Sequence, residues 1–440
     1  MNSSYLILPG CDDTNRGDQA LIWETVRIAK DAGYCGNYYM IATEECSAQS
    51  KKEGIERIDY ILPHPSHHIA KAKDKDNVQY GSILFVKWAF WALIDLLIAL
   101  PLLFGPTRTL IAPFLTGKKK RTLDVYKGSR AAFVKGGGFL HAYGGLTEAY
   151  KIFFFLYHIN LAISMKIPVY VMPNSFGPFD GPLVKRMIRS TLKKCHFVSA
   201  RESISENMLL KQCGINSYRT NDLAVYLEKD VTFDAENELL KSGILLKANK
   251  SVAITVRPYR FPGSTNTQEL YKKYKDSIVE FIRWLMSNGF QPVLVEHTYS
   301  DSFHEQDMVC IREINELLSP EACCPVFSNL ELTCKEMKSI YSAFDYIVGT
   351  RFHSLIFSLT ELVPGIAITY GGNKGQGIMN DLGLKEYSIS IDELDSVCLI
   401  EKFKSLASER DNIRSSLSGF VAQTNKDREL LKEMIRKRDE

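Results

Sequence analysis

No C-x-x-C pair occurs among the 10 cysteines of this 440-residue chain. Only Cys323 and Cys324 are adjacent, and no spacing suits a zinc site. Such scatter fits reduced thiols in a cytoplasm rather than a disulfide framework. A large excess of one charge sign is also missing, with 54 Lys and Arg against 51 Asp and Glu. The net charge is +3, which argues against a nucleic-acid partner. The opening residues, MNSSYLILPGCDD, have no basic start and too short an apolar run for a signal peptide. No long low-complexity tract is present. What remains is a globular composition, 45% hydrophobic and 24% charged. At this length two domains of about 200 residues each are expected.

One segment departs from a soluble pattern. ILFVKWAFWALIDLLIALPLLF, residues 83–104, is apolar all round, with only Lys87 and Asp95 charged. It is long enough to cross a bilayer. Asp95 at mid-run would cost roughly 3 kcal/mol at the bilayer centre, and Pro101 would kink or end a helix. Lys71, Lys73 and Lys75 precede it and Lys118 to Arg121 follow, so no orientation is encoded. Trp88 and Trp91 suit a headgroup boundary. The segment reads as a monotopic or re-entrant hairpin meeting an anionic membrane surface over about 83–121. A buried helix pair or the interface of a homo-oligomer is the alternative.

Elsewhere short apolar runs alternate with helical periodicity. YLILP (5–9), YYMIA (38–42), IDYILP (58–63), AAFVKGGG (131–138), VYVMPNSFGP (169–178) and HFVSARES (196–203) read as strands or strand-to-turn joints, with a long helix over about 147–165. Periodicity weakens over 228–250, where an interdomain linker is expected. It restarts with strands at 252–258, 292–297, 346–351 and 365–372 and helices at 267–288, 302–318, 332–343 and 353–362. The implied architecture is α/β: two doubly wound Rossmann-type domains, 1–228 and 246–397, facing a cleft. The first carries the apolar insertion at about 80–117, and helices over 398–440 pack back.

Ligands in such folds bind beyond the carboxyl ends of strands, and polar residues collect there. The first strand runs into Asp12, Asp13, Asn15, Arg16 and Asp18; others end in Gly136-Gly137-Gly138, Asn174-Ser175, Arg201-Glu202, Arg257, Glu296-His297, Arg351 with His353, and Tyr370. Three consecutive glycines would let backbone N–H groups approach an anion, helped by a helix N-terminus. They match neither G-x-G-x-x-G nor a Walker A loop. Arg257 and Arg351, each after a strand of the second domain, suit bidentate binding of carboxylate or phosphate. His353 is the acid–base candidate. Asp18 is a base candidate with a helix-capping alternative, and Glu202 carries a capping or ion-pair alternative. EHTYSDSFHEQD (296–307) gathers acids and histidines in a spacing that matches no closed metal site, so no metal is expected.

The stretches NRGDQAL, VKGGGFLHAYGG, PNSFGPF, SARESIS, NDLAVYL, VGTRFHSLIFSL and ITYGGNKGQG follow one another in the order found in the polysaccharide pyruvyl transferase family, which the chain resembles over roughly 5–385. The resemblance implies a GT-B-like fold and transfer of a pyruvyl group from phosphoenolpyruvate to two sugar hydroxyls, giving a ketal in a cell-surface or exopolysaccharide precursor. Arg351 and His353 correspond to the family's Arg-x-His motif, and Arg257 to a donor-binding arginine. The 83–104 insertion lies outside the family's common pattern; a lipid-linked acceptor would give it a purpose. On this reading Arg257, Arg351, Lys374 and Gly136 to Gly138 bind the donor. Asn15, Asn174, Ser175, His297 and Tyr370 face the acceptor, while His353 acts as acid and Asp18, or Glu202, as base. No cofactor is expected beyond the donor substrate, and the enzyme would sit at the inner face of the cell membrane. Two other readings are a GT-B glycosyltransferase using a nucleotide sugar and a non-catalytic, membrane-docked saccharide-binding or scaffold protein.

Overall fold

The computed structural model describes residues 3–436 apart from 11–12, 43–47, 69–81, 263, 301–304, 319–322 and 371–372. The chain divides into two units. One comprises Met1–Asp12, Thr25–Thr220 and Leu430–Glu440; the other comprises Asp13–Glu24 and Asn221–Glu429. The first turns of the Arg16–Asp31 helix, which carry the NRGDQ stretch, therefore belong with the second unit.

The first unit holds β1 (Ser3–Leu8), β2 (Gly36–Ile41), β3 (Ile55–Ile58), β4 (Ser129–Val134), β5 (Gly137–Tyr143), β6 (Val169–Asp180), β7 (Phe197–Ala200) and β8 (Tyr218–Arg219). They form one parallel sheet ordered β3-β2-β1-β4-β6-β7-β8. Alternation along the strands decides what each face meets. Leu6, Leu8, Ala132 and Val134 join the core on one side. Tyr5, Phe133 and Tyr170 point to the other, among the rings of Tyr34 and Tyr38. The long β6 pairs with β4 through Val169 to Val171 and with β5 from Asn174 onward.

The second unit holds β9 (Ser251–Thr255), β10 (Gln291–Val295), β11 (Val326–Phe327), β12 (Tyr346–Gly349), β13 (Gly365–Thr369) and β14 (Ser388–Ser390), parallel throughout in the order β11-β10-β9-β12-β13-β14. Numbered from β9, that is the 3-2-1-4-5-6 order of a doubly wound nucleotide-binding sheet, with its topological switch between β9 and β12.

Several sequence expectations change. The glycine run does not open a helix: Gly137 starts β5, and the next helix begins only at Leu146. Pairing with β6 keeps the chain extended there. The strand expected over 58–63 lies instead at Ile55–Ile58, and Ile61 turns into the core, its N–H donating to His158 Nε2 at 3.2 Å. The 228–250 stretch contains a helix, Ala235–Lys241, capped by Asp234. The apolar segment forms the helix Ser82–Leu102, followed by Gly105–Ile111 at a bend of 117°. Among the described residues no single helix is long and apolar enough to cross a membrane.

Candidate functional site

At the switch point of the second sheet, β9 runs into Arg257 and β12 into Thr350 and Arg351. Adjacent parallel strands put both arginines at the same carboxyl end of the sheet, where ligands of such folds bind. Their guanidinium groups converge on one carboxylate. Arg257 donates through NH2 to Glu305 Oε1 at 2.8 Å, and Arg351 through NH1 to Glu305 Oε2 at 3.1 Å. Arg351 also donates through Nε to Asp307 Oδ1 at 2.6 Å and through NH2 to the Glu305 carbonyl at 2.6 Å.

The two acids play different parts. Asp307 is fully buried and also accepts from the backbone N–H groups of His297 and Thr298, at 3.1 and 2.9 Å. Burial pushes its carboxyl upward, and Arg351 with the backbone donors works against that. It fixes the Arg351 fork. Glu305 keeps 49% of its side chain exposed. Burial would raise its pKa, yet Arg257 and Arg351 hold it below the usual carboxylate range. Burial likewise opposes the charge on Arg351, and Asp307, Tyr370 and Glu305 overcome it, so its pKa is raised.

Tyr370 lies under Arg257, with the guanidinium carbon 4.5 Å from its ring centre and its hydroxyl accepting from Arg257 NH1. Tyr259 contributes a second ring at 5.9 Å. Stacking leaves the guanidinium edge available for in-plane acceptors. Arg257 Nε, buried, has no hydrogen-bond partner among the described residues.

His353 is the second residue of the helix Phe352–Leu359, whose N-cap is Arg351. Its ring packs onto Gly17: a β-carbon there would stand 2.1 Å from His353 Nδ1. The glycine of NRGDQ is therefore required by the approach of the imidazole. On the other side, His353 Nε2 lies 4.0 Å from Oδ1 of Asp222, a buried carboxylate that caps the following turn by accepting from Ala224 N–H. Asn15 Oδ1 accepts from the N–H groups of Gly17 and Asp18 at 3.1 and 3.3 Å, so Asn15 supplies the cap. Asp18, in the first turn, accepts from the Asn15 amide at 3.1 Å and stays partly exposed. Arg16 donates to the carbonyls of Asp13 and Leu330.

His297 is buried, with Nδ1 3.1 Å from the Tyr341 hydroxyl. Burial, then the charges of His353, Arg351 and Arg16, push its pKa well below the imidazole range, so it is neutral. It stands behind Arg351 and His353 rather than at a surface open to an acceptor sugar. Lys374 follows Asn373 at the start of the Asn373–Asp381 helix; its side chain lies outside the described residues, as do Asp301, His304, Gly371 and Gly372.

The strand ends of the first sheet are tied down by buried hydrogen bonds. Asn174 donates to the carbonyls of Lys135 and Met172 at 2.7 and 2.9 Å, pinning the chain just before Gly136. Gly137 adopts φ of 136°, a conformation that favours glycine. Ser175 accepts from Arg201 Nε at 2.7 Å and donates to Glu202 at 3.1 Å; Ser205 takes the other Glu202 oxygen. Glu202 is only 1% exposed, so this carboxylate orders its neighbours. Asn174, Ser175, Glu202 and Gly136 to Gly138 are thus brought together in one unit, while Arg257, Arg351, His353, His297, Tyr370, Asn15 and Asp18 belong to the other.

Sequence reasoning missed Gly17, Asp222, Glu305 and the role of Asp307. Gly17 and Asp222 sit inside NRGDQAL and NDLAVYL, where the motif pattern marked them without assigning work. Glu305 and Asp307 sit in EHTYSDSFHEQD, whose acids were weighed only as metal ligands.

Comparisons with known proteins bear on the fold and the family. The chain is 26% identical over 294 residues to the amylovoran biosynthesis protein AmsJ of Erwinia amylovora, covering 66% of this chain and 68% of that protein. Among solved structures, a glycosyltransferase from Rickettsia africae superposes with a TM-score of 0.53 at 14% identity, over 99% of both chains. The UDP-GlcNAc 2-epimerase of Neisseria meningitidis gives 0.51 at 12% identity, over 99% of this chain and 100% of that one. These likenesses establish the GT-B-type fold of two Rossmann-like domains. Residues 15–372 match the family model described as polysaccharide pyruvyl transferase. The match runs from the cap of the Gly17 helix, through the glycine turn and the Arg351–His353 joint, to the end of β13, and the chain belongs to the polysaccharide pyruvyl transferase family.

Proposed function

We propose that the protein moves a pyruvyl group from phosphoenolpyruvate onto two hydroxyls of a saccharide, forming a ketal in a cell-surface or exopolysaccharide precursor. One observation carries the donor assignment: Arg257 and Arg351 already clasp a single carboxylate, that of Glu305. The carboxylate and phosphate of phosphoenolpyruvate would compete for the same forks, and the unpartnered Nε of Arg257 offers a further donor.

The chemistry follows from the residues. His353 protonates the methylene carbon, which becomes a methyl group and leaves an oxocarbenium-like centre at C2. One sugar hydroxyl adds there and loses its proton to Asp18. The C2–O bond to phosphate then breaks, phosphate departs with the electron pair, and the second hydroxyl closes the ketal as it passes its proton to His353, which the first step left neutral. Asp222 supplies a buried counter-charge beside the imidazole. Guanidinium groups meet the donor's charge, so the scheme routes no step through a metal. Tyr370 and Asn15 lie beside the acceptor in this reading. Placement at the cytoplasmic face of the membrane, with a lipid-linked acceptor, suits the apolar insertion.

The test is incubation with phosphoenolpyruvate and a panel of lipid-linked and aryl glycosides, following phosphate release and acceptor mass. Stoichiometric phosphate and a pyruvyl-sized mass gain are expected. Release of nucleoside diphosphate from a nucleotide sugar, with phosphoenolpyruvate inert, would instead establish a glycosyltransferase.

A further inference from the structure

In the Ser82–Leu102 helix the solvent-facing residues are as apolar as the buried ones. Val86, Phe90, Leu93, Leu97 and Leu100 recur at helical spacing along one side and expose between 40 and 69% of their surface, and Phe104, just past the helix, exposes 62%. The opposite side delivers Ala99 and Leu102 to the core of the first unit. A surface helix of a globular domain ordinarily turns polar residues outward, and scattered apolar exposure does not produce a continuous stripe. Beyond the 117° bend the surface continues through Leu110 and Phe114, 69 and 81% exposed.

The one acid of this region is withdrawn from that surface. Asp95 is 2% exposed and faces inward, 2.6 Å from His68 Nε2 and 3.1 Å from Lys119 Nζ. The penalty expected for a carboxylate at membrane depth therefore does not arise. Exposed charge along 82–121 is cationic only: Lys87, Lys118, Lys120 and Arg121. Lys118 and Arg121 lie 3.6 and 3.4 Å from Asp59 and Glu56, surface pairs that leave them exposed. Arg108 is tied down, donating to the Leu102 carbonyl and to Ser164.

From the bare stripe, the inward acid and the cationic rim we infer that this bent helix pair is a monotopic docking surface for an anionic lipid bilayer. Spanning is excluded by geometry, because one side of the long helix is committed to the protein core. The helix lies in the interface plane, its stripe among acyl chains and its lysines at headgroup level. The inference is independent of the pyruvyl-transfer reading.

The experiment is sedimentation of the full chain with sucrose-loaded vesicles of phosphatidylcholine alone or with about a third phosphatidylglycerol. Binding to the anionic vesicles is expected, falling with added salt and at least tenfold weaker to the neutral ones. The double substitution Phe90→Glu/Leu97→Glu should lower partitioning at least tenfold with an unchanged melting temperature, since both side chains already face solvent. Lys118→Glu/Lys120→Glu should lower binding to anionic vesicles alone. A chain that stays in the supernatant with anionic vesicles overturns the inference. So does a wild-type dimer in solution that Phe90→Glu/Leu97→Glu converts to monomer, which would make the stripe a protein interface.

Discussion

The carboxyl ends of the two sheets have the same origin and opposite character. In the first unit Ser175, Arg201, Glu202 and Ser205 hydrogen-bond to one another in a closed network, and its carboxylate is sealed. In the second, two guanidinium groups share a half-exposed Glu305, and an imidazole lies against a glycine. A closed network orders the backbone; an open one with exchangeable partners can accept a ligand. Residue types alone would rank the two ends as equal.

The largest expected effect tests the open end. His353→Ala should lower the phosphate-release rate at least 100-fold, the lower range of general acid–base catalysis. The melting temperature should change little, because the imidazole is partly exposed; near-normal turnover would remove His353 from the acid role. Gly17→Ala comes next. Its β-carbon displaces the imidazole and should cost on the order of 10- to 100-fold in kcat, since small misplacements of a reacting group are expensive. An unaffected kcat would mean that the Gly17–His353 approach does not matter to the reaction.

Glu305→Gln should move activity the other way. Removing the internal competitor should lower KM for phosphoenolpyruvate about three- to tenfold, the scale of one charge-assisted hydrogen bond. A raised KM would show that Glu305 helps to bind the donor. The same variant has a pH signature. Because the Glu305 carboxyl is held below its ordinary 4.5, its stabilising contribution is complete above that pH and is lost as pH falls through the lowered value. Thermal melts of Glu305→Gln should therefore show a flatter acid limb. The smallest effect on activity belongs to the closed end. Glu202→Gln should leave turnover within about threefold of wild type while costing about 1–3 kcal/mol of stability from disturbed buried hydrogen bonds. A large loss of turnover without destabilisation would restore Glu202 as a base.

Much of the second sheet was legible because its strands are buried on both faces and read as uninterrupted apolar runs ending in polar residues. The two-residue β8 and β11 and the three-residue β14 were not, because so few residues carry no period. The glycine turn misled because three glycines suit both an anion loop and a strand joint; only pairing of β5 with β6 separates them. Asp95 looked like an obstacle to membrane contact, since composition does not show which side of a helix a residue faces. Its burial beside Lys119 and His68 removes the objection.

By itself the sequence determined the alternation of strands and helices, the family, and the arginine and histidine at the joint between Val348 and Leu355. These follow from local periodicity and from residues close together in the chain. Tertiary structure alone decided that Glu305 and Asp307 claim the arginines, that Gly17 makes room for His353, and that Asp222 stands behind it. Each of these depends on side chains tens to hundreds of residues apart meeting within a few ångströms, and nothing in local propensity encodes that distance.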